Sequence, residues 1–181
     1  MDEQRRRFEA IVLPHLDAAH NLARWLSRSA TEAEDIVQEA MLRALQSFGG
    51  FRGDDGKPWL LAIVRNCHRT IRKRQANAAT VPIEEEIDTG DGGLFVTPVG
   101  ASDSNPESTA AGNADRRQLD LVLATMPEAF REVLVLRELE ELSYRQIADI
   151  TDVPIGTVMS RLARARALLK QRWLQMERSR P

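Results

Sequence analysis

Ser143-Tyr144-Arg145-Gln146-Ile147-Ala148-Asp149-Ile150-Thr151-Asp152-Val153-Pro154-Ile155-Gly156-Thr157-Val158-Met159-Ser160-Arg161-Leu162-Ala163-Arg164-Ala165-Arg166 is the stretch that decides the fold. Ser143 and Gln146 stand at capping-box spacing, so each can satisfy a free backbone N–H at the start of a helix. That helix is short, with Ile147, Ala148 and Ile150 as its apolar residues. Thr151-Asp152-Val153 turns the chain, and Pro154 suits the first turn of a second helix, running to about Trp173. In it Val158, Leu162, Ala165 and Leu169 recur at helical steps and predict one inward stripe. Thr157, Ser160, Arg161, Ala163, Arg164 and Arg166 leave the front small or cationic. A short helix, a tight turn and a longer helix with a polar front fit the helix-turn-helix. Such a second helix enters the DNA major groove, about 12 Å wide, where arginine bonds guanine with two hydrogen bonds. A plain helix pair with a solvated basic face is the simpler alternative, and the caps and the Val153-Pro154 turn weigh against it.

Working outward, residues 119–125 read as a helix, and Pro127 begins another that turns Phe130, Val133, Leu134 and Leu136 inward. Upstream lies a stretch, about 76–114, that breaks every helical pattern. It holds Pro82, Pro98, Pro106 and five glycines between Gly90 and Gly112. This is a linker composition, and so long a loop inside one compact domain is unusual. A weak strand hint near Leu94–Val99 is the only β signal. The expectation is an all-α protein of two small helical domains, 5–75 and 115–175, joined by a flexible acidic linker.

The first domain reads as helices throughout. Phe8, Ile11, Val12, Leu16, Ala19, Leu22, Ala23 and Leu26 recur at helical spacing, with a kink or late start expected at Pro14. Thr31-Glu32-Ala33-Glu34 matches a capping box and predicts a helix over about 32–48, stopped by Gly49-Gly50. Its expected apolar stripe is Ile36, Val37, Ala40, Met41, Ala44 and Leu45. A polar loop, Phe51–Lys57, leads to Pro58 and a last helix to about Gln75. Trp59, Leu60, Ile63, Val64, Cys67 and Ile71 give that helix an apolar face, and Arg65, Asn66, Arg69, Thr70, Arg72, Lys73 and Arg74 a basic one.

The net charge of −2 argues at first against a nucleic-acid partner. Its distribution argues the other way. Arg52–Arg74 holds seven Lys/Arg against two acids, and Arg145–Arg180 eight against three. Between them, from Gln75 to Asp115, there is no basic residue. Two cationic regions flanking an acidic one suit a polyanion. No apolar run reaches the roughly 20 residues that cross a bilayer, and Met1–Arg7 has no apolar core behind it, so neither membrane insertion nor a secretory signal is expected. One cysteine excludes an internal disulfide and suits a reducing, cytoplasmic setting. There is no glycine-rich phosphate loop, nucleophile–base pair or metal spacing, so no catalysis, cofactor, metal or small-molecule substrate is expected. His15, His20, His68 and Cys67 read as structural residues, Cys67 as a small core side chain.

Several segments together resemble one family. Met126-Pro127, Arg131-Glu132-Val133, Leu136-Arg137-Glu138-Leu139, Leu142–Ala148, Val153–Val158 and Ser160–Arg166 resemble the fourth conserved region of extracytoplasmic-function (ECF) bacterial sigma factors. Ala33–Ala40 resembles the family's second region, and Phe51-Arg52-Gly53 with Trp59-Leu60 resembles its promoter-melting segment. The resemblance implies a non-catalytic initiation factor that binds core RNA polymerase and promoter DNA and commonly answers to an anti-sigma factor. Asp35, Gln38 and Glu39 match the polymerase-docking site, and carboxylates with an amide on one helix face suit pairing with arginine. Arg52 in its loop would help hold an unstacked −10 base. Asn66 and Thr70 match base-contacting positions, and Arg65, Arg69, Arg72 and Lys73 would serve phosphates. Trp59 suits a core position better than a stacking platform. Thr157, Ser160, Arg161 and Arg164 would read the −35 element. Met159 and Ala163 depart from the family pattern, which often has a basic and an aromatic residue there, so the usual −35 preference is in doubt. The linker would either thread the polymerase toward the RNA exit path or serve as a solubilising tether. Two rivals stand beside this reading: an autonomous dimeric regulator, and a protein that sequesters a partner without binding promoters.

Overall fold

The computed structural model describes residues 2–27, 29–78 and 118–178, and among them every regular element is helical. The linker expected over 76–114, with its strand hint, lies outside the described residues apart from 76–78, which continue a helix. The helices are α1 (Asp2–Ile11), α2 (Leu16–Leu26), α3 (Ala30–Ser47), α4 (Gly56–Ala78), α5 (residues 118–124), α6 (Glu128–Leu134), α7 (Tyr144–Thr151) and α8 (Ile155–Arg178).

Pro14 acts as expected: α1 ends before it, a 3-10 turn spans Leu13–His15, and α2 starts afresh at Leu16. The start of α3 differs from expectation. Ser29, in extended conformation, is the cap and accepts from the Glu32 N–H at 3.1 Å, so Thr31 already lies inside the helix. The α3 stripe is also narrower. Ile36, Val37, Ala40 and Ala44 are buried, but Leu45 is exposed, as is Leu42. Leu45 lies one residue past Ala44, about 100° further round the helix, and that turns it to the outside.

The start of α4 is fixed by two features. Asp55 Oδ1 accepts from the Lys57 N–H at 3.1 Å. Gly56 sits where a Cβ would strike the Ile11 carbonyl, so α4 begins pressed against the end of α1. Leu60, Leu61, Val64 and Cys67 are fully buried below it, packed against α2 and α3. Phe48, Phe51 and Trp59 form an aromatic group beside them, with Phe51 and Trp59 centroids 4.7 Å apart. Trp59 is thus a packed, half-buried member of the core, as its place on the apolar face implies.

In the C-terminal half, α6 runs on into a wide π turn, Val135–Leu139, closed by the Glu140 N–H on the Val135 carbonyl. Both Ser143–Gln146 capping bonds are present, at 2.9 and 3.2 Å. Asp152 takes the left-handed conformation that ends α7. Val158, Leu162 and Ala165 are buried on α8, with Leu169 half-buried. Burying a leucine contributes about 1.5–3 kcal/mol, which makes this stripe the main hold on α8. Finally, α4 lies along α7 and α2 touches α6, so the buried residues of both halves form one cluster.

Candidate nucleic-acid interface

Asp35 and Gln38 are exposed on α3, and Leu42 and Leu45 continue the same face at steps of four and three. Glu39 is half-buried and held by Arg43 Nε at 2.7 Å. Asp35 also edges a shallow hollow of about 460 Å³ with Ser29, Thr31, Glu32, Ile71, Arg74 and Gln75. The sequence pattern placed Leu45 inside and did not single out Leu42. An exposed leucine pair beside a polar trio is visible only once the helix phase is known.

The −10 candidates divide into two sets. Arg52 is exposed and donates to the Gly49 carbonyl at 3.0 Å. Asn66, Arg69 and Lys73 are exposed on α4, and Thr70, half-buried, donates its hydroxyl to the Asn66 carbonyl at 2.8 Å. Arg65 and Arg72 differ, because both are turned toward the C-terminal half. Arg65 Nε meets Glu132 Oε1 at 2.6 Å and its Nη1 donates to the Ile150 carbonyl at 3.1 Å. Arg72 pairs with Glu128. A third cation, absent from the sequence-based set, joins them: Lys57 Nζ lies 3.0 Å from Glu140 Oε2 and 2.8 Å from the Glu140 carbonyl.

The acids in these pairs are unusual. Glu132 and Glu140 are only 6% and 4% exposed. Burial raises the Glu132 carboxyl above its ordinary range, and Arg65 opposes that rise. His68, 1% exposed, has Nδ1 3.8 Å from Glu128 Oε1 and no partner at Nε2. Burial lowers its pKa, while Glu128 pulls the other way.

On α8 the front is open. Ser160 and Arg164 are exposed, Thr157 and Arg161 half-buried, and Ser160 donates to the Thr157 carbonyl at 3.0 Å. Met159 is 53% exposed beside them, in the first turns of the helix that would meet base edges. Arg166, two turns past Met159, is bound to Glu138 at 2.6 Å. The four −35 candidates therefore share one accessible face, whereas the −10 set is split by the closure of the two halves.

Residues 11–77 match the family Sigma-70 region 2, and residues 116–169 match Sigma-70, region 4. The chain is 31% identical over 164 residues to the RNA polymerase sigma-H factor of Pseudomonas aeruginosa, covering 90% of this chain and 83% of that protein. It is 33% identical over 151 residues to the ECF RNA polymerase sigma-E factor of Escherichia coli, covering 81% of this chain and 78% of the relative. Its fold is that of the sigma factor RpoE from Bartonella quintana, solved in complex with the anti-sigma factor NepR, with a TM-score of 0.69 at 22% identity over 99% of this chain and all of that one. A two-part helical protein with region 2 and region 4 in this order is a sigma-70-type transcription factor, and the chain belongs to its ECF group. Among the described residues no helix is long and apolar enough to cross a membrane.

Proposed function

We propose that this chain binds core RNA polymerase and carries it to promoters, using residues 5–75 for polymerase docking and the −10 element and residues 115–175 for the −35 element. Residues 76–114 tether the two. The observation that carries this is the exposed α3 face. Asp35 and Gln38 stand clear of solvent-blocking neighbours, next to Leu42 and Leu45, on the helix that lies against the cationic α4. A polar pair flanked by two exposed leucines suits a helical partner: the leucines supply apolar area, the polar groups register. Glu39, tied to Arg43, holds the edge of that face.

On α4, Asn66 and Thr70 contact unstacked −10 bases, one of which Arg52 of the preceding loop helps to hold, while Arg65, Arg69, Arg72 and Lys73 track the strand. On α8, Thr157, Ser160, Arg161 and Arg164 read the −35 duplex. Met159 replaces a cation with an apolar group there, which favours contact with a thymine methyl over a guanine bond. The protein itself is non-catalytic, works in the cytoplasm beside the polymerase, and is restrained by an anti-sigma factor. Support for the last point is the fold shared with sigma factors solved with anti-sigma partners, RpoE with NepR and CnrH with the cytosolic domain of CnrY.

Run-off transcription with core polymerase over a promoter library tests this. Core plus the protein initiates from a promoter subset that core alone ignores; equal transcription with and without it defeats the proposal. Replacing Asp35 and Gln38 together by Ala weakens core binding while the helical content is kept. Unchanged core affinity removes the α3 face from the docking site.

A further inference from the structure

Three carboxylates, Glu128, Glu132 and Glu140, run along α6 and just past its π turn, and three cations, Lys57, Arg65 and Arg72, run along α4. They pair in antiparallel order: 57 with 140, 65 with 132, 72 with 128. The α4 members fall at steps of eight and seven, one helix face. Glu128 and Glu132 are one turn apart, a spacing of about 6 Å along the axis. Two further bonds reinforce its Lys57–Glu140 end. Asn21 Nδ2 donates to Glu140 Oε1 at 3.5 Å, and Gln146 Nε2 to Asp55 Oδ2 at 3.3 Å.

We infer that this carboxylate ridge is an internal stand-in for a nucleic-acid backbone: in the free protein it occupies the cationic face of α4 and masks it from DNA. The inference rests on the proposed role of α4 in holding promoter DNA. Its physical basis is the burial of the acids. A buried carboxylate is tolerated only with a partner, and Glu132 and Glu140 have theirs solely across the closure among the bonds described for their side chains. The same arginine cannot hold Glu132 and a phosphate at once. Arg65 is 12% exposed at its side chain, so no strand reaches it while the halves are closed. Asn66, Arg69 and Lys73 stay exposed on the next face, so the mask is partial. Closure therefore weakens DNA binding without abolishing it. A partner that draws the two halves apart strips the ridge from α4 and frees the cations together.

The test uses the full chain, free of polymerase. In E128Q/E132Q/E140Q the radius of gyration from small-angle X-ray scattering rises, and affinity for a fluorescent 20-nucleotide oligo(dT) increases by about tenfold, as follows if closed molecules outnumber open ones by that factor. A charge-matched control, E3Q/D17N/E34Q, gains the same three units on exposed helix faces and keeps the wild-type radius. An unchanged radius and affinity in the triple ridge variant overturn the inference. So does an affinity that only equals that of the control, since the gain is then bulk charge. If the triple variant fails to fold, a swapped pair decides: K57E opens the molecule, K57E/E140K closes it again, and equal radii for both refute the ridge. Loss of run-off activity in the wild type, with these shifts intact, would count against the sigma reading alone and leave the ridge standing.

Discussion

The two helices proposed to meet DNA, α4 and α8, are built on the same plan and kept in opposite states. Each is long, each begins beside a proline, and each has an apolar stripe beneath and arginines above. On α8 Arg164 and Ser160 face solvent, and Arg166 is held by Glu138 at the exposed surface. On α4 the arginines at 65 and 72 are tied to acids of the other half, Arg65 to the buried Glu132 and Arg72 to the half-buried Glu128. The difference is one of dielectric as much as of contact. An exposed pair such as Arg166–Glu138 contributes little and is screened by salt. The Arg65–Glu132 pair is desolvated, so removing one partner strands a charge. On the roles proposed for them, α8 is thus available to a duplex at once, whereas α4 can take a strand on its Arg65 and Arg72 only after a change of domain arrangement.

The largest effect that would sharpen this contrast is on folding. Leu162→Ala empties a fully packed site under α8 and costs about 2–5 kcal/mol. Thermal unfolding followed by circular dichroism then shows the C-terminal half melting first, ahead of the half built on Leu60 and Leu61. A single unshifted transition would mean that the two halves are not separate cooperative units. Next in size is Arg164→Ala, which lowers use of the −35 element by about 1–3 kcal/mol if Arg164 bonds a base. Run-off transcription over −35 variants reads it, and equal loss on every sequence marks a phosphate contact instead. The smallest effect concerns pH. Burial lowers the His68 pKa in the closed form, with Glu128 and Glu32 pulling it up and Arg72 and Arg131 pushing it down. The closed form then binds fewer protons at His68 than the open one. Its stability is fully present above the ordinary histidine pKa, about 6.5, and falls as pH drops below that value. The Glu132 carboxyl, raised by burial, has the opposite sign, so the wild-type profile is a sum. Comparing wild type with His68→Asn between pH 7.5 and about 5.5 isolates the histidine. Identical profiles would place His68 outside the balance.

Most of the architecture was legible because it is local. The Ser143–Gln146 box, the Pro14 break and the Val158–Leu162–Ala165 stripe are settled within a few residues of themselves, and the structure has all three. Near misses arose where two local signals competed: Ser29 and Thr31 both offer a hydroxyl with a glutamate three residues on, and the chain uses the earlier one. Leu45 was misplaced because a stripe drawn from hydrophobicity alone is wider than the face that packs. Of the candidate sites, the residue types and helix faces could be read ahead. The engagement of Arg65 and Arg72 could not, because it depends on how two domains meet across 39 intervening residues, 79–117. One signal was present unused: acids at 128 and 132, and cations at 65 and 72, each recur on one helix face, four and seven residues apart.

The π turn at Val135–Leu139 acts as a phase adjuster. Each α-helical residue advances about 100°, so in an unbroken helix Glu140 would point about 80° round from Glu132. The wide turn takes up one extra residue and brings that angle back to within about 20°. Glu140 can then face Lys57 on the line already set by Glu132 and Arg65. A substitution in this turn should be absorbed, but the gain or loss of a single residue would rotate everything downstream, Glu140 first and the helix-turn-helix after it, by more than a quarter turn.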